Sequence, residues 1–165
     1  MEPMREILNQ GLADLGITPP PGAVDKLCRY GELLLEQNRV MNLTAITEPE
    51  GVARLHFLDS AAVLSGKGPS WLAGKSLVDV GTGAGFPGMV LKILEPSLSL
   101  TLVDSLAKRL VWLEKVGEVL SLDGVRCFHG RAEELALAPE FRDRFDVATS
   151  RAVAAFPALC ELCLP

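Results

Sequence analysis

Apolar positions in the N-terminal part of the chain repeat at the spacing of one helical face, and beyond Trp71 they give way to short apolar runs separated by turns. Met4, Ile7, Leu8, Leu12 and Leu15 predict an amphipathic helix over Pro3 to Leu15, with Gly16 as its C-cap. The prolines of Thr18 to Gly22 make a stiff connector. A second helix is expected from Ala23 to about Arg39, with Val24, Leu27, Cys28, Gly31, Leu34, Leu35 and Asn38 on one face. Val40 to Ile46 reads as irregular or extended. Thr47 and Glu50 have the spacing of a capping box, with Pro49 in the first turn, and open a third helix. Its expected inward face is Val52, Leu55, Leu58, Ala62 and Val63. His56 and Asp59 fall three apart beside that face, either as a substrate-facing pair or as a solvated or capping pair. The glycines and proline of Ser65 to Ser70 end this section, so 1–70 is expected as a helical segment packed on a core formed by 71–165.

That core alternates strand and helix. Strands are predicted at Ser76 to Val80, Ser99 to Val103, Val125 to His129 and Phe145 to Thr149. Helices fall at about Pro87 to Glu95, from Ser105 as N-cap to Leu120, and after Gly130-Arg131. The alternation implies a mostly parallel sheet with helices on both faces. Right-handed crossovers then gather the carboxyl ends of all strands on one edge.

The chemistry is concentrated on that edge. Val78 to Gly88, VDVGTGAGFPG, runs from a buried strand into Gly81, Gly83, Gly85 and Gly88, and then into a helix. Such a bend lets backbone approach a nucleotide-like ligand without a Cβ in the way. Gly83-x-Gly85-x-x-Gly88 also fits the dinucleotide fingerprint, with Asp104 about twenty residues on, so the glycines alone do not separate NAD from S-adenosylmethionine. Asp79 favours the methyl donor, because a carboxylate at this edge suits a cationic amino group and a sulfonium better than a pyrophosphate. Asp104 can accept both ribose hydroxyls. Ala132 and Glu133 can bind the exocyclic amine of adenine, Phe86 offers an apolar face, and Arg151 is a cation at the mouth. Structural readings remain for two of these: Asp104 as a helix N-terminal carboxylate and Glu133 as an ordinary first-turn acid.

Composition narrows the partners. A net charge of −5, with acidic residues in excess in both halves, argues against gripping nucleic acid by bulk electrostatics and leaves room only for a local basic patch. No secretory signal or bilayer-length apolar run is present, so a cytoplasmic protein without a membrane partner is expected. Cys160-x-x-Cys163 falls at helical spacing among leucines, and Cys28 and Cys127 stand far apart, so buried thiols rather than a metal site are expected. After the fourth strand stands Thr149-Ser150-Arg151-Ala152, not the Asn/Asp-Pro-Pro-aromatic run that orients an exocyclic base amine. There is no Pro-Cys pair for attack on a pyrimidine, and no general base beyond His56 and His129. An acceptor with a free lone pair, such as guanine N7, agrees with this; no catalytic residue is assigned.

NLTAIT (Asn42 to Thr47), HFLDS (His56 to Ser60), VDVGTGAGFPG, LVDSLAKR (Leu102 to Arg109), HGRAEEL (His129 to Leu135) and SRAVA (Ser150 to Ala154) occur in this order. Together they resemble the bacterial RsmG (GidB) methyltransferases over almost the whole chain. The resemblance implies a Rossmann-like S-adenosylmethionine-dependent methyltransferase fold and methyl transfer to N7 of a guanine in 16S ribosomal RNA. It implies donor contacts at Gly81, Phe86, the Asp104, Ser105 and Leu106 segment, Ala132, Glu133 and Arg151, joined by Asp79, Gly83 and Gly85 of the bend. Asn42, His56, Lys75, Lys108 and Arg109 are the expected RNA-facing residues, with the 16S rRNA or 30S subunit as partner to a monomer. Members of the family complete a seven-stranded sheet, and only four strands fit before Pro165. A shortened, non-catalytic cofactor-binding form is therefore one alternative, and the glycine pattern leaves an NAD-dependent oxidoreductase as another.

Overall fold

A computed structural model describes residues 2–137 and 144–150. Helix α1 (Glu2–Asp14) buries Met4, Leu8 and Leu12. It ends at Gly16, whose φ of +73° lets the Ile17 N–H return to the Leu12 carbonyl at 2.9 Å. Helix α2 (Ala23–Gln37) buries Leu27, Cys28, Tyr30, Gly31 and Leu34. Asn38, expected to continue its face, instead closes the next loop. Its Oδ1 accepts the N–H groups of Leu43 and Thr44 at 2.8 and 3.0 Å, and its Nδ2 donates to the Thr44 carbonyl.

The third helical run, α3, is assembled from Pro49–Gly51, a π-helical stretch Val52–Leu58, Asp59–Ala61 and a final 3₁₀ turn Ala62–Leu64. The expected capping box is not formed: Glu48 occupies the N-cap position without a side-chain hydrogen bond. The wider π turn also shifts the phase of the run. Val52, Ala53, Phe57, Ala61 and Leu64 point inward, whereas Leu55 and Val63, expected inside, are exposed.

Beyond α3 the order is β1 (Ser76–Val80), α4 (Gly88–Leu94), β2 (Ser99–Asp104), α5 (Ala107–Val119), β3 (Val125–His129), α6 (Ala132–Leu137) and β4 (Val147–Ser150). The strands form one parallel sheet in the order β3-β2-β1-β4, with Val80 in register with Val103 and Ser150. Consecutive strand residues face opposite sides. Leu77, Leu100 and Leu102 join a large core with the inward residues of α1 to α5, while Val78, Val80 and Val103 pack with Phe128, Phe145 and Ala148 on the other face. The N-terminal helices thus share one hydrophobic core with the sheet. No helix among the described residues is long and apolar enough to cross a membrane.

A lysine hidden in an apolar run is seated in this core. Lys92 of α4 is buried, and its ammonium donates to the carbonyls of Pro96 and Leu98 at 2.6 and 2.5 Å, closing the turn into β2. Burial lowers its pKa, which desolvation of an ammonium requires. Cys127 behaves oppositely for the same reason: burial, assisted by Glu114, pushes its thiol up to about 11. Alkylation by iodoacetamide at pH 8, followed by peptide mapping, is expected to leave Cys127 largely unmodified while an unfolded control reacts fully. Because the folded state holds this proton more tightly, Cys127 contributes a loss of stability as pH climbs from 9.0 towards about 11. Cys160 and Cys163 lie outside the described residues.

Candidate functional site

The site begins where β1 runs out. The Thr82 N–H docks on the Val103 carbonyl of β2 at 3.0 Å, and the Thr82 carbonyl then accepts the N–H groups of Gly85 and Phe86. This tight bend puts Gly83 at φ +58° and Gly85 at φ +101°, the left-handed region that favours glycine. The two glycines serve different ends. A Cβ on Gly83 would meet nothing within 4 Å, so its backbone is open to an incoming ligand. A Cβ on Gly85 would collide with the Tyr30 hydroxyl and lie 2.8 Å from Leu113, so this position is required by packing.

Asp104, at the end of β2, meets the bend directly. Its Oδ2 accepts the Gly83 N–H at 2.8 Å, its Oδ1 accepts the Leu106 N–H at 2.9 Å, and Arg109 pairs with it at 3.4 Å. Ser105, expected as the N-cap of α5, is displaced from that position by Leu106, and the Asp104 carboxylate holds the turn instead. The exit of β3 joins here as well: the Gly130 N–H donates to the Asp104 carbonyl at 3.0 Å, and His129 Nε2 donates to the Ser105 carbonyl at 3.0 Å. Ala132 and Glu133 then open α6, with the Glu133 side chain exposed. The bend, Asp104 and the start of α6 therefore stand on one rim. Arg151 lies outside the described residues.

Asp79 corrects the sequence reading. Expected to meet a ligand at the mouth, it is wholly buried beneath the bend. Its Oδ2 accepts the Thr82 hydroxyl at 2.7 Å and the Gly88 N–H at 3.0 Å, and its Oδ1 accepts the Thr149 hydroxyl at 3.1 Å. A carboxylate thus occupies the N-terminal amide of α4, the group on which a dinucleotide pyrophosphate would rest.

Phe86 is a second correction. Rather than offering an open face, its ring is buried and stacked on His56, 4.5 Å between centroids and 12° between planes, with Tyr30 and Phe57 around it. His56 Nε2 is also hydrogen-bonded to Thr44 Oγ1 at 2.7 Å. Sequence reasoning missed Tyr30, whose hydroxyl donates to the Ala84 carbonyl within the bend. Helices α2 and α3 therefore support the glycine bend through a cluster of aromatic rings.

The basic residues do not form one patch. Lys108 and Arg109 start α5 on the ligand rim, Lys108 exposed and Arg109 paired with Asp104. Lys75 precedes β1 and so belongs to the opposite rim, where its ammonium sits over the Trp71 ring at 3.9 Å. Asn42 is exposed in the loop before α3.

Comparison with solved structures supports the fold alone. A Methanococcus maripaludis protein, described as a candidate S-adenosyl-L-methionine-dependent methyltransferase, aligns with a TM-score of 0.50 at 12% identity, covering 76% of this chain and 50% of that one. Sequence relatives are far closer. Ribosomal RNA small subunit methyltransferase G of Caldanaerobacter subterraneus subsp. tengcongensis is 46% identical over 160 residues, 97% of this chain and 66% of the relative. The Desulfitobacterium hafniense protein of the same name is 50% identical over 142 residues, 86% of this chain and 57% of the relative. The chain thus spans about two thirds of the length of the curated relatives it matches. The family model for rRNA small subunit methyltransferase G matches residues 23–165, and with these identities the chain belongs to that family.

Proposed function

We propose that the rim formed by the ends of β1, β2 and β3 binds S-adenosylmethionine and that the protein transfers its methyl group to N7 of a guanine in 16S ribosomal RNA. The observation that carries the cofactor reading is the Asp79 carboxylate on the Gly88 N–H. It places negative charge where NAD would put its pyrophosphate, and a phosphate-free cationic nucleoside avoids that repulsion. The residues present fit such a nucleoside. Asp104 carries an acceptor-only side chain suited to two ribose hydroxyls, the exposed Leu106 side chain offers apolar surface to a purine, and Gly83 leaves its backbone uncovered. Ala132 and Glu133 would take the adenine amine, with Gly81, Ser105 and Arg151 completing the set by resemblance.

When bound, the donor supplies an electrophilic methyl carbon on a sulfonium. Guanine N7 already carries an in-plane lone pair, so attack needs no deprotonation and the protein's work is alignment and exclusion of water. Asp104 fixes the donor against the bend, and the Tyr30-Phe57-Phe86-His56 cluster keeps the bend from moving. Exposed Asn42 and Lys108 are candidates to meet RNA on that side, acting in the bacterial cytoplasm on the 30S subunit.

Labelled S-adenosylmethionine incubated with 30S subunits from cells lacking this modification tests the reaction. Incorporation at a single 16S guanine is expected; donor binding without incorporation would instead mark a non-catalytic cofactor-binding protein. Asp104→Ala, measured by calorimetry, is expected to weaken donor affinity about 10- to 100-fold, the worth of charge-assisted hydrogen bonds.

A further inference from the structure

We infer that the cleft between α3 and the end of β4 receives the Watson–Crick edge of the acceptor purine, and that Asp59 is the group that reads it as guanine. The inference rests on the methyl-donor reading above and adds the acceptor half of the site. The cleft encloses about 290 Å³, room for one heterocyclic base, and is lined by Asp59, Ser60, Val63, Pro87, Thr149 and Ser150. Pro87 belongs to the glycine bend, so cleft and bend share a wall.

Sheet order places the cleft on the correct side. Asp104 ends β2, on one side of β1, and the cleft opens beside β4, on the other. A nucleoside held by its ribose at Asp104 therefore points its far end across β1 towards the cleft. Val63 and Pro87 provide apolar surface for the faces of a ring. Two hydroxyls of the wall are already committed: Ser60 donates to the His56 carbonyl at 2.6 Å and Thr149 to Asp79 at 3.1 Å. The Ser150 Oγ is different, buried without a hydrogen-bond partner, and so remains available to a polar atom entering the cleft.

Asp59 is exposed, at the outer side of this cleft, and its carboxylate only accepts hydrogen bonds. Guanine alone among the four RNA bases presents two adjacent donors, N1–H and the N2 amine, on its Watson–Crick edge. Adenine presents the N1 acceptor there, which a carboxylate repels. N7 lies on the opposite side of the purine, so a base gripped at the outer end of the cleft by N1 and N2 turns N7 inward, towards the bend.

The test replaces guanine by inosine, which lacks the 2-amino group, at the acceptor position of the RNA. Methylation and, with S-adenosylhomocysteine bound, RNA binding by fluorescence anisotropy are both read for wild type, Asp59→Ala and Asp59→Asn. Wild type is expected to favour guanine over inosine by about tenfold or more in kcat/KM and in affinity, since the site is left with an unmatched acceptor. Both variants are expected to lose that preference while their S-adenosylmethionine affinity stays at the wild-type value. Equal use of guanine and inosine by wild type, or a preference that persists in both variants, overturns the inference. Loss of donor binding in wild type would strike the methyl-donor reading instead, and the guanine-to-inosine anisotropy ratio measured without S-adenosylhomocysteine then still decides the role of Asp59.

Discussion

Alanine at Gly85 is expected to cost about 3 kcal/mol or more and to leave much of the chain unfolded at physiological temperature, the largest effect of any single methyl in the bend. The residue sits at φ +101°, and its Cβ would lie on the Tyr30 hydroxyl and 2.8 Å from Leu113, both held in the core. Tyr30 cannot swing away, because it is wholly buried against Phe57, Phe86 and Trp112 and donates to the Ala84 carbonyl. Gly83→Ala is the informative control. It carries a φ of +58° but meets nothing within 4 Å, so its cost is expected near 1 kcal/mol. Urea denaturation followed by circular dichroism ranks the two; equal midpoints would show that the bend tolerates a side chain facing α2.

The second large effect is expected at Asp79. Alanine there strands three donors at once, the Thr82 hydroxyl and Gly88 N–H buried beneath the bend and the half-buried Thr149 hydroxyl beside it. Each orphaned buried donor costs about 1–3 kcal/mol, with partial relief as the hydroxyls rotate, so a total of about 2–4 kcal/mol is expected. Asp79→Asn is expected to be milder, since the amide keeps one acceptor oxygen for two of these donors. Hydrogen exchange gives the local readout: the Gly88 amide is expected to be protected in the wild type and to exchange at least about tenfold faster in Asp79→Ala. An unchanged Gly88 rate would mean that Asp79 does not pin the helix to the bend.

What could be read from the sequence follows from how local each signal is. The four strands came through because short apolar runs bounded by turns have few other readings, and β1 and β3 fall at the expected residues. The glycine bend and its approach to Asp104 followed from topology, since parallel strands with right-handed crossovers leave their ends together. The third helix was misjudged because a 3.6-residue period was applied to a π-helical stretch, which hid Phe57 and put Leu55 and Val63 inside. Asp79, at the end of β1, and Phe86, in the bend, are buried rather than turned to the mouth, because a motif gives position along the chain and not which side of the bend a side chain takes. Tyr30 and Asn38 act on residues of other segments, Ala84 and the Leu43-Thr44 loop, so nothing in their own neighbourhood signals the role. Lys75 illustrates the converse limit. Expected to face RNA together with Lys108 and Arg109, it stands at the opposite end of the strands from them, which residue type alone does not reveal.

The two corrected residues strengthen the link between fold and chemistry. Asp79 and the aromatic cluster are supports from below, while Asp104, also buried, ties the Gly83 and Leu106 amides together at the rim and Gly83 has open space where a Cβ would stand. A rigid bend whose Gly83 amide is already tied to the adjacent carboxylate is an arrangement that holds a ribose without needing to reorganise.

Isothermal titration calorimetry with S-adenosylmethionine and, separately, with NAD tests the proposed pocket most directly. Saturable binding of one S-adenosylmethionine per chain is expected, with NAD weaker by about a hundredfold and with the S-adenosylmethionine heat strongly reduced in Asp104→Ala. NAD binding as tightly as S-adenosylmethionine, or S-adenosylmethionine binding untouched by the loss of Asp104, would contradict a methyl-donor pocket at the ends of β1 and β2.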